Sequence, residues 1–145
     1  MIKVNVVCVG KIKEEYLKSA CAEYIKRLSR FCKLEVKELA EGKNLREEAT
    51  AIIKHATGYK IALCVEGQSL TSPALAERVK KLCDAGEEIT FIIGSSCGLD
   101  DSVKAIADLR LSFSEMTFPH QLMRVILLEQ IYRAFMINTG SEYHK

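Results

Sequence analysis

Residues 61–107, IALCVEGQSLTSPALAERVKKLCDAGEEITFIIGSSCGLDDSVKAIA, decide the fold class. Ile61–Val65 and Ile89–Ile93 are apolar runs of strand length, and each leads through a glycine-bearing turn into a segment of helical spacing. Ser72-Pro73 marks a helix start, with Ser72 as the expected N-cap and Pro73 at the first helical position of Ala74–Cys83. Asp100-Asp101-Ser102 offers a second cap, for a helix ending near Ala107. Strand, helix, strand and helix in so short a stretch predict parallel strands joined by helical crossovers.

The pattern continues in both directions. Towards the N-terminus, Ile2–Val9 reads as a strand and Lys13–Phe31 as a helix whose Leu17, Cys21, Tyr24, Leu28 and Phe31 share one stripe. Leu34–Leu39 alternates strictly, and Leu45–His55 is helical. Towards the C-terminus, Leu109–Phe113 forms a short fifth strand, and Leu122–Ile137 a final helix. This alternation predicts an α/β fold, a mainly parallel sheet with helices on both faces, in one domain spanning residues 1–145.

A chain of 145 residues with 48% hydrophobic content is large enough to bury roughly 70% of its unfolded surface. Its six cysteines include no CxxC pair and no short-spaced Cys/His cluster, so neither a metal site nor a redox motif is expected. Reduced thiols fit a cytoplasmic protein. No stretch has the length or flanks of a signal peptide or membrane span, so no membrane partner is expected. The net charge is +2, but residues 1–37 carry nine Lys/Arg against four acids. Lys26 and Arg30 therefore read either as a solvated helix face or as a phosphate-contacting surface.

Three irregular segments fall in equivalent places: Glu66–Ser69, Gly94–Gly98 and Ser114–His120 each follow a strand. In a parallel sheet those positions share one edge, where ligands bind, and Gly67, Gly94 and Gly98 permit positive φ or close backbone approach. GxGxxG and GxxxxGK[ST] are missing, which disfavours a phosphate-cradling NTPase, and Ser95 and Ser96 read as suppliers of loop hydrogen bonds rather than as a hydrolase nucleophile. Between Leu122 and Ile137 only Arg124, Glu129, Gln130 and Arg133 are clearly polar. So wide an apolar arc predicts a second buried surface, a homodimer through this helix, which a charge at Leu128 would split. Glu129 and Arg133 form a local i,i+4 pair. Arg124 reads either as a snorkelling or interface arginine, or as a holder of an anionic or carbonyl group. His120 reads as a cap or loop-packing residue and His55 as a surface one.

On VGKIKEEY (9–16), EYIKRLSRF (23–31), Val65-Glu66-Gly67, Ile92-Ile93-Gly94 with Gly98-Leu99, LSFSEMTFPHQLMR (111–124), EQIYRAF (129–135) and the closing YHK, the chain resembles the RlmH-type ribosomal RNA pseudouridine methyltransferases of the SPOUT superfamily. Two departures stand out. The family usually has a second glycine where this chain has Ser95, and its segment between the second and third strands is longer than Glu41–Tyr59.

The resemblance implies a C-terminal trefoil knot, unexpected from general rules of chain topology. It also implies S-adenosyl-L-methionine as methyl donor, with no metal. Carried over by position, the donor pocket is Leu63, Gly94, Phe113, Ser114, Glu115, Met116, Thr117 and Phe118. The implied reaction methylates N3 of a pseudouridine in large-subunit (23S) ribosomal RNA on the assembled ribosome. His144 is then the proton acceptor, Tyr143 stacks on or positions the base, and Arg124 steadies a uracil carbonyl. A homodimer completes the implication, one protomer's tail entering the other's pocket. The rival readings are a non-catalytic ribosome- or RNA-binding module on the same fold, and a binding protein for another nucleotide-like molecule.

Overall fold

The computed structural model describes residues 1–143. The proton-acceptor role of His144 thus falls outside the described residues. Five strands, β1 (Lys3–Val9), β2 (Lys33–Leu39), β3 (Tyr59–Ser69), β4 (Ile89–Ile93) and β5 (Leu109–Ser112), form a sheet of order β2-β1-β4-β3-β5 in which every pairing is parallel. The helices are α1 (Glu15–Leu28), α2 (Leu45–His55), α3 (Ser72–Asp84), α4 (Asp101–Ile106) and α5 (His120–Asn138). The expected α/β class is what the chain adopts.

Strand periodicity sorts the core into two layers. Val4, Val6, Cys8, Ile61, Phe91 and Leu111 meet α1, α3 and α5 on one face, while Val7, Val9, Ala62 and Ile92 meet α2 and α4 on the other. β4 is buried at all five positions, which is why it reads as a continuous apolar run. The connection through α3 moves the chain from β3 inward to β4, and the connection through α4 takes it back past β3 to β5. That reversal brings the segments after β3, β4 and β5 together at one edge.

Several local expectations shift. Thr71, not Ser72, caps α3: its hydroxyl accepts from the Ala74 amide at 3.2 Å. The Ser72 hydroxyl instead donates to Gln130 at 2.7 Å, tying α3 to α5. α1 is shorter than Lys13–Phe31, and α5 starts two residues early, at His120 after Pro119. Glu66–Ser69 is no simple loop. Leu111 on β5 is partner to both Leu63 and Gln68, so residues 64–67 bulge out of β3 before Gln68 and Ser69 rejoin the ladder.

The wide apolar arc of α5 also has an intramolecular cause. The helix lies on the sheet with α1 on one side and α3 on the other, and buries Leu127, Leu128, Ile131, Ala134 and Phe135. Leu128 is fully buried in this core, so a charge there would attack the fold before it reached any dimer interface.

Candidate active site

The bulge after Leu63, the turn after β4 and the segment after β5 enclose a cavity of about 840 Å³. Such a volume suits an organic ligand of drug or cofactor size, for which clefts of roughly 300–1,000 Å³ are usual. Of the residues carried over as donor-binding, Leu63, Gly94, Phe113, Ser114, Met116, Thr117 and Phe118 all line it; Glu115 belongs to the same segment but is not on the wall. Met116 is 74% exposed, an apolar side chain at the rim that a ligand could cover.

Each wall is shaped by a local constraint. Gly67 lies against β5, and a β-carbon there would come within 2.8 Å of the Arg110 carbonyl, so the bulge closes onto the neighbouring strand only with glycine. At Gly94 a β-carbon would sit 2.3 Å from the Gly98 carbonyl oxygen. Gly98, at φ +90°, closes the turn by donating its amide to the Ser95 carbonyl at 2.9 Å. These glycines thus serve contacts of the chain with itself. In the third wall the Ser114 hydroxyl accepts from the Met116 amide at 3.0 Å, and the Ser112 hydroxyl donates to the Ser114 carbonyl at 3.1 Å, which folds the segment over the cavity.

Further polar groups stand on the same walls. Lys104 of α4 pairs with Glu66 of the bulge; its hydrogen bond holds the Glu66 carboxyl below the usual range and raises the Lys104 ammonium. His120, expected to cap or pack, lines the cavity at the first residue of α5. Lys104 was not legible, because it joins the site only through Glu66, distant in sequence, whereas His120 closes a segment already expected at the ligand edge.

Arg124 is not on the cavity wall. Its side chain is 3% exposed, and its guanidinium meets Glu38 at 2.5 Å and the Gly10 carbonyl at 3.0 Å. It does hold an anion and a carbonyl, but those of its own chain, fastening α5 to the C-terminal ends of β1 and β2. Tyr143 is likewise docked on its own protomer. Its hydroxyl donates to Glu129 at 2.9 Å, its ring meets Tyr132 edge-on at 5.1 Å, and the Arg133 guanidinium lies 5.0 Å from the ring centre. Burial first, then the bond to Glu129, pushes the Tyr143 phenol up.

The fold that places this cavity is shared with known proteins. A family model described as "Predicted SPOUT methyltransferase" matches residues 2–144. The chain belongs to the SPOUT methyltransferase family. Over 159 aligned positions it is 49% identical to the ribosomal RNA large subunit methyltransferase H of Clostridioides difficile, covering 99% of this chain and 100% of that one. The enzyme of the same name from Bifidobacterium adolescentis is 48% identical over the same length, again with 99% and 100% covered. Among solved structures, a probable methylase family protein of Haemophilus influenzae Rd KW20 aligns with a TM-score of 0.62 at 10% identity, over 100% of this chain and 72% of that chain. The SpoU methyltransferase AviRb from Streptomyces viridochromogenes, in complex with AdoMet, aligns with a TM-score of 0.51 at 9% identity, over 97% of this chain and 59% of that one. At such identities these two structures speak for the fold of this SPOUT chain.

Proposed function

We propose that this SPOUT protein, acting as one domain, transfers a methyl group from S-adenosyl-L-methionine to N3 of a pseudouridine in large-subunit ribosomal RNA, with the assembled ribosome as substrate. The observation that carries the reading is the cavity, walled at seven of the eight positions that the family resemblance assigns to the donor. Apolar and aromatic surface from Leu63, Phe113, Met116 and Phe118 suits an adenosyl group. The relatives of nearly half-identical sequence are named as ribosomal RNA large subunit methyltransferases, which supports the substrate class.

When bound, the donor supplies a sulfonium-activated methyl group. The methyl–sulfur bond breaks as the bond to N3 forms, and the N3 proton passes to an acceptor. The chain's contribution is in-line positioning and proton removal, so effective concentration matters more than a covalent nucleophile. His144 is assigned the proton and Tyr143 the base. In this reading Arg124 acts at a distance from the base, by fixing the start of α5 against Gly10 and Glu38. The trefoil knot belongs to the same proposal: residues 113–114 and 116–119 face a cavity shared with 63–66 and 94–99.

The reading includes a homodimer in which each tail serves the other protomer's cavity. In its own protomer Tyr143 is held at Glu129, six residues beyond Met123 on the cavity wall. At helical rise that is about 9 Å along α5. Incubating hypomethylated ribosomes with the protein and the donor, followed by mass spectrometry of the RNA, tests the whole proposal. One added methyl on a pseudouridine is expected. Donor binding without any methyl mark would favour a non-catalytic ribosome-binding module instead.

A further inference from the structure

The turn after β4 carries a side chain where a glycine would be the simpler choice, and that side chain is bonded. Gly94 is closed to any β-carbon and Gly98 has positive φ, whereas no non-glycine among the described residues has positive φ, so Ser95 holds its place without strain. Its hydroxyl donates to Glu48 Oε1 at 2.9 Å. The other oxygen of that carboxylate, Oε2, accepts from the Gly42 amide at 3.1 Å. Glu48 is only 7% exposed and enters no ion pair among the described residues. A buried carboxylate is costly unless its oxygens are hydrogen-bonded, so Ser95 and Gly42 together make Glu48 tolerable, aided by its place in the first turn of α2. The Ser95 hydroxyl also lies 3.4 Å from the Cys97 amide, and the Ser95 carbonyl takes the Gly98 amide.

We infer that Ser95 and Glu48 are positioning residues for the donor site: the buried Glu48 carboxylate, bonded to the Ser95 hydroxyl, anchors the Gly94–Gly98 turn to the first turn of α2 and so presets the cavity wall that the methyl donor meets. The inference rests on the donor reading of the cavity. It gives the short β2–α2 connection a role in donor affinity, because Gly42 occupies the other oxygen of the same carboxylate. Neither side chain touches the reacting atoms.

The test compares wild type, Ser95→Ala and Ser95→Thr by calorimetry with S-adenosylmethionine, by kcat and KM for the donor on hypomethylated ribosomes, and by amide hydrogen exchange of the free protein. Loss of a hydrogen bond to a buried carboxylate is expected to weaken donor binding in Ser95→Ala by about tenfold. KM for the donor should rise with kcat retained, exchange should quicken at Cys97 and Gly98, and Tm should fall by a few degrees as the buried carboxylate loses a partner. Ser95→Thr, which keeps the hydroxyl, should restore all three. Wild-type donor affinity and wild-type exchange in Ser95→Ala would overturn the inference alone. Failure of the wild-type protein to bind the donor would overturn the donor reading, and this inference with it.

Discussion

Glu88 shows how a single carboxylate can fasten elements that the sequence keeps far apart. Its Oε1 accepts from the Asn5 amide at 2.6 Å and from the Thr57 hydroxyl at 2.9 Å, and Lys3 stands 3.6 Å away. The bond from Asn5 first, then that from Thr57, holds the Glu88 carboxyl below its ordinary value of 4.5. A folded-state value below the unfolded one means that the ionised form favours the fold. The contribution is complete above the ordinary value and is lost as pH falls through the lowered one. Denaturant titrations between pH 6 and about pH 3 should therefore show stability falling with acidity, and Glu88→Gln should flatten that slope. An equal slope in the variant would remove Glu88 from the acid response. Glu88 and Glu48 look alike in the sequence, as acids beside apolar runs, yet one answers to the opening of β4 and the other to the turn that follows it.

At the scale of the element, boundaries were legible where local chemistry acts alone. α2 and β4 run over the residues expected from spacing, and Asp100 caps α4 through the Ser102 amide. At the start of α3 the sequence pointed to Ser72 as the cap, and the structure gives that place to its neighbour Thr71. Tertiary contact decided it, since Gln130 draws Ser72 towards α5 and leaves the cap to Thr71. Thr71→Ala should cost about 1 kcal/mol in chemical denaturation, the usual worth of an N-cap. A change of only a few tenths would mean that Pro73 and the bond from Ser72 start the helix unaided. The bulge of β3 was beyond sequence reading for a similar reason: it exists because Leu111 pairs on both sides of it.

For the whole molecule, the apolar length of α5 no longer argues for a dimer, since α1, α3 and the sheet account for its buried stripe. The dimer proposal stands on the docked tail and its distance from its own cavity. Leu122, 37% exposed in the first turn of α5, is a better place than Leu128 to introduce a charge. Leu122→Glu should lower the sedimenting mass to that of a monomer and abolish methylation, with Tm close to wild type. Activity persisting in a sedimenting monomer would refute delivery of the tail from the partner.

The periodic pattern by itself determined the α/β class, the parallel sheet and the edge at which the ligand-binding segments gather. Those follow from alternation and glycine placement, which act over a few residues and are written in order along the chain. The motifs shared with the family also marked Leu63, Gly94 and Phe113–Phe118, seven of whose positions reach one cavity. Only the tertiary structure decided the company of the polar groups: Arg124 with Glu38 and Gly10, Tyr143 with Glu129, Ser95 with Glu48. A buried charge or hydroxyl must find a partner wherever the fold brings one, and those partners lie 14 to 114 residues away in the chain.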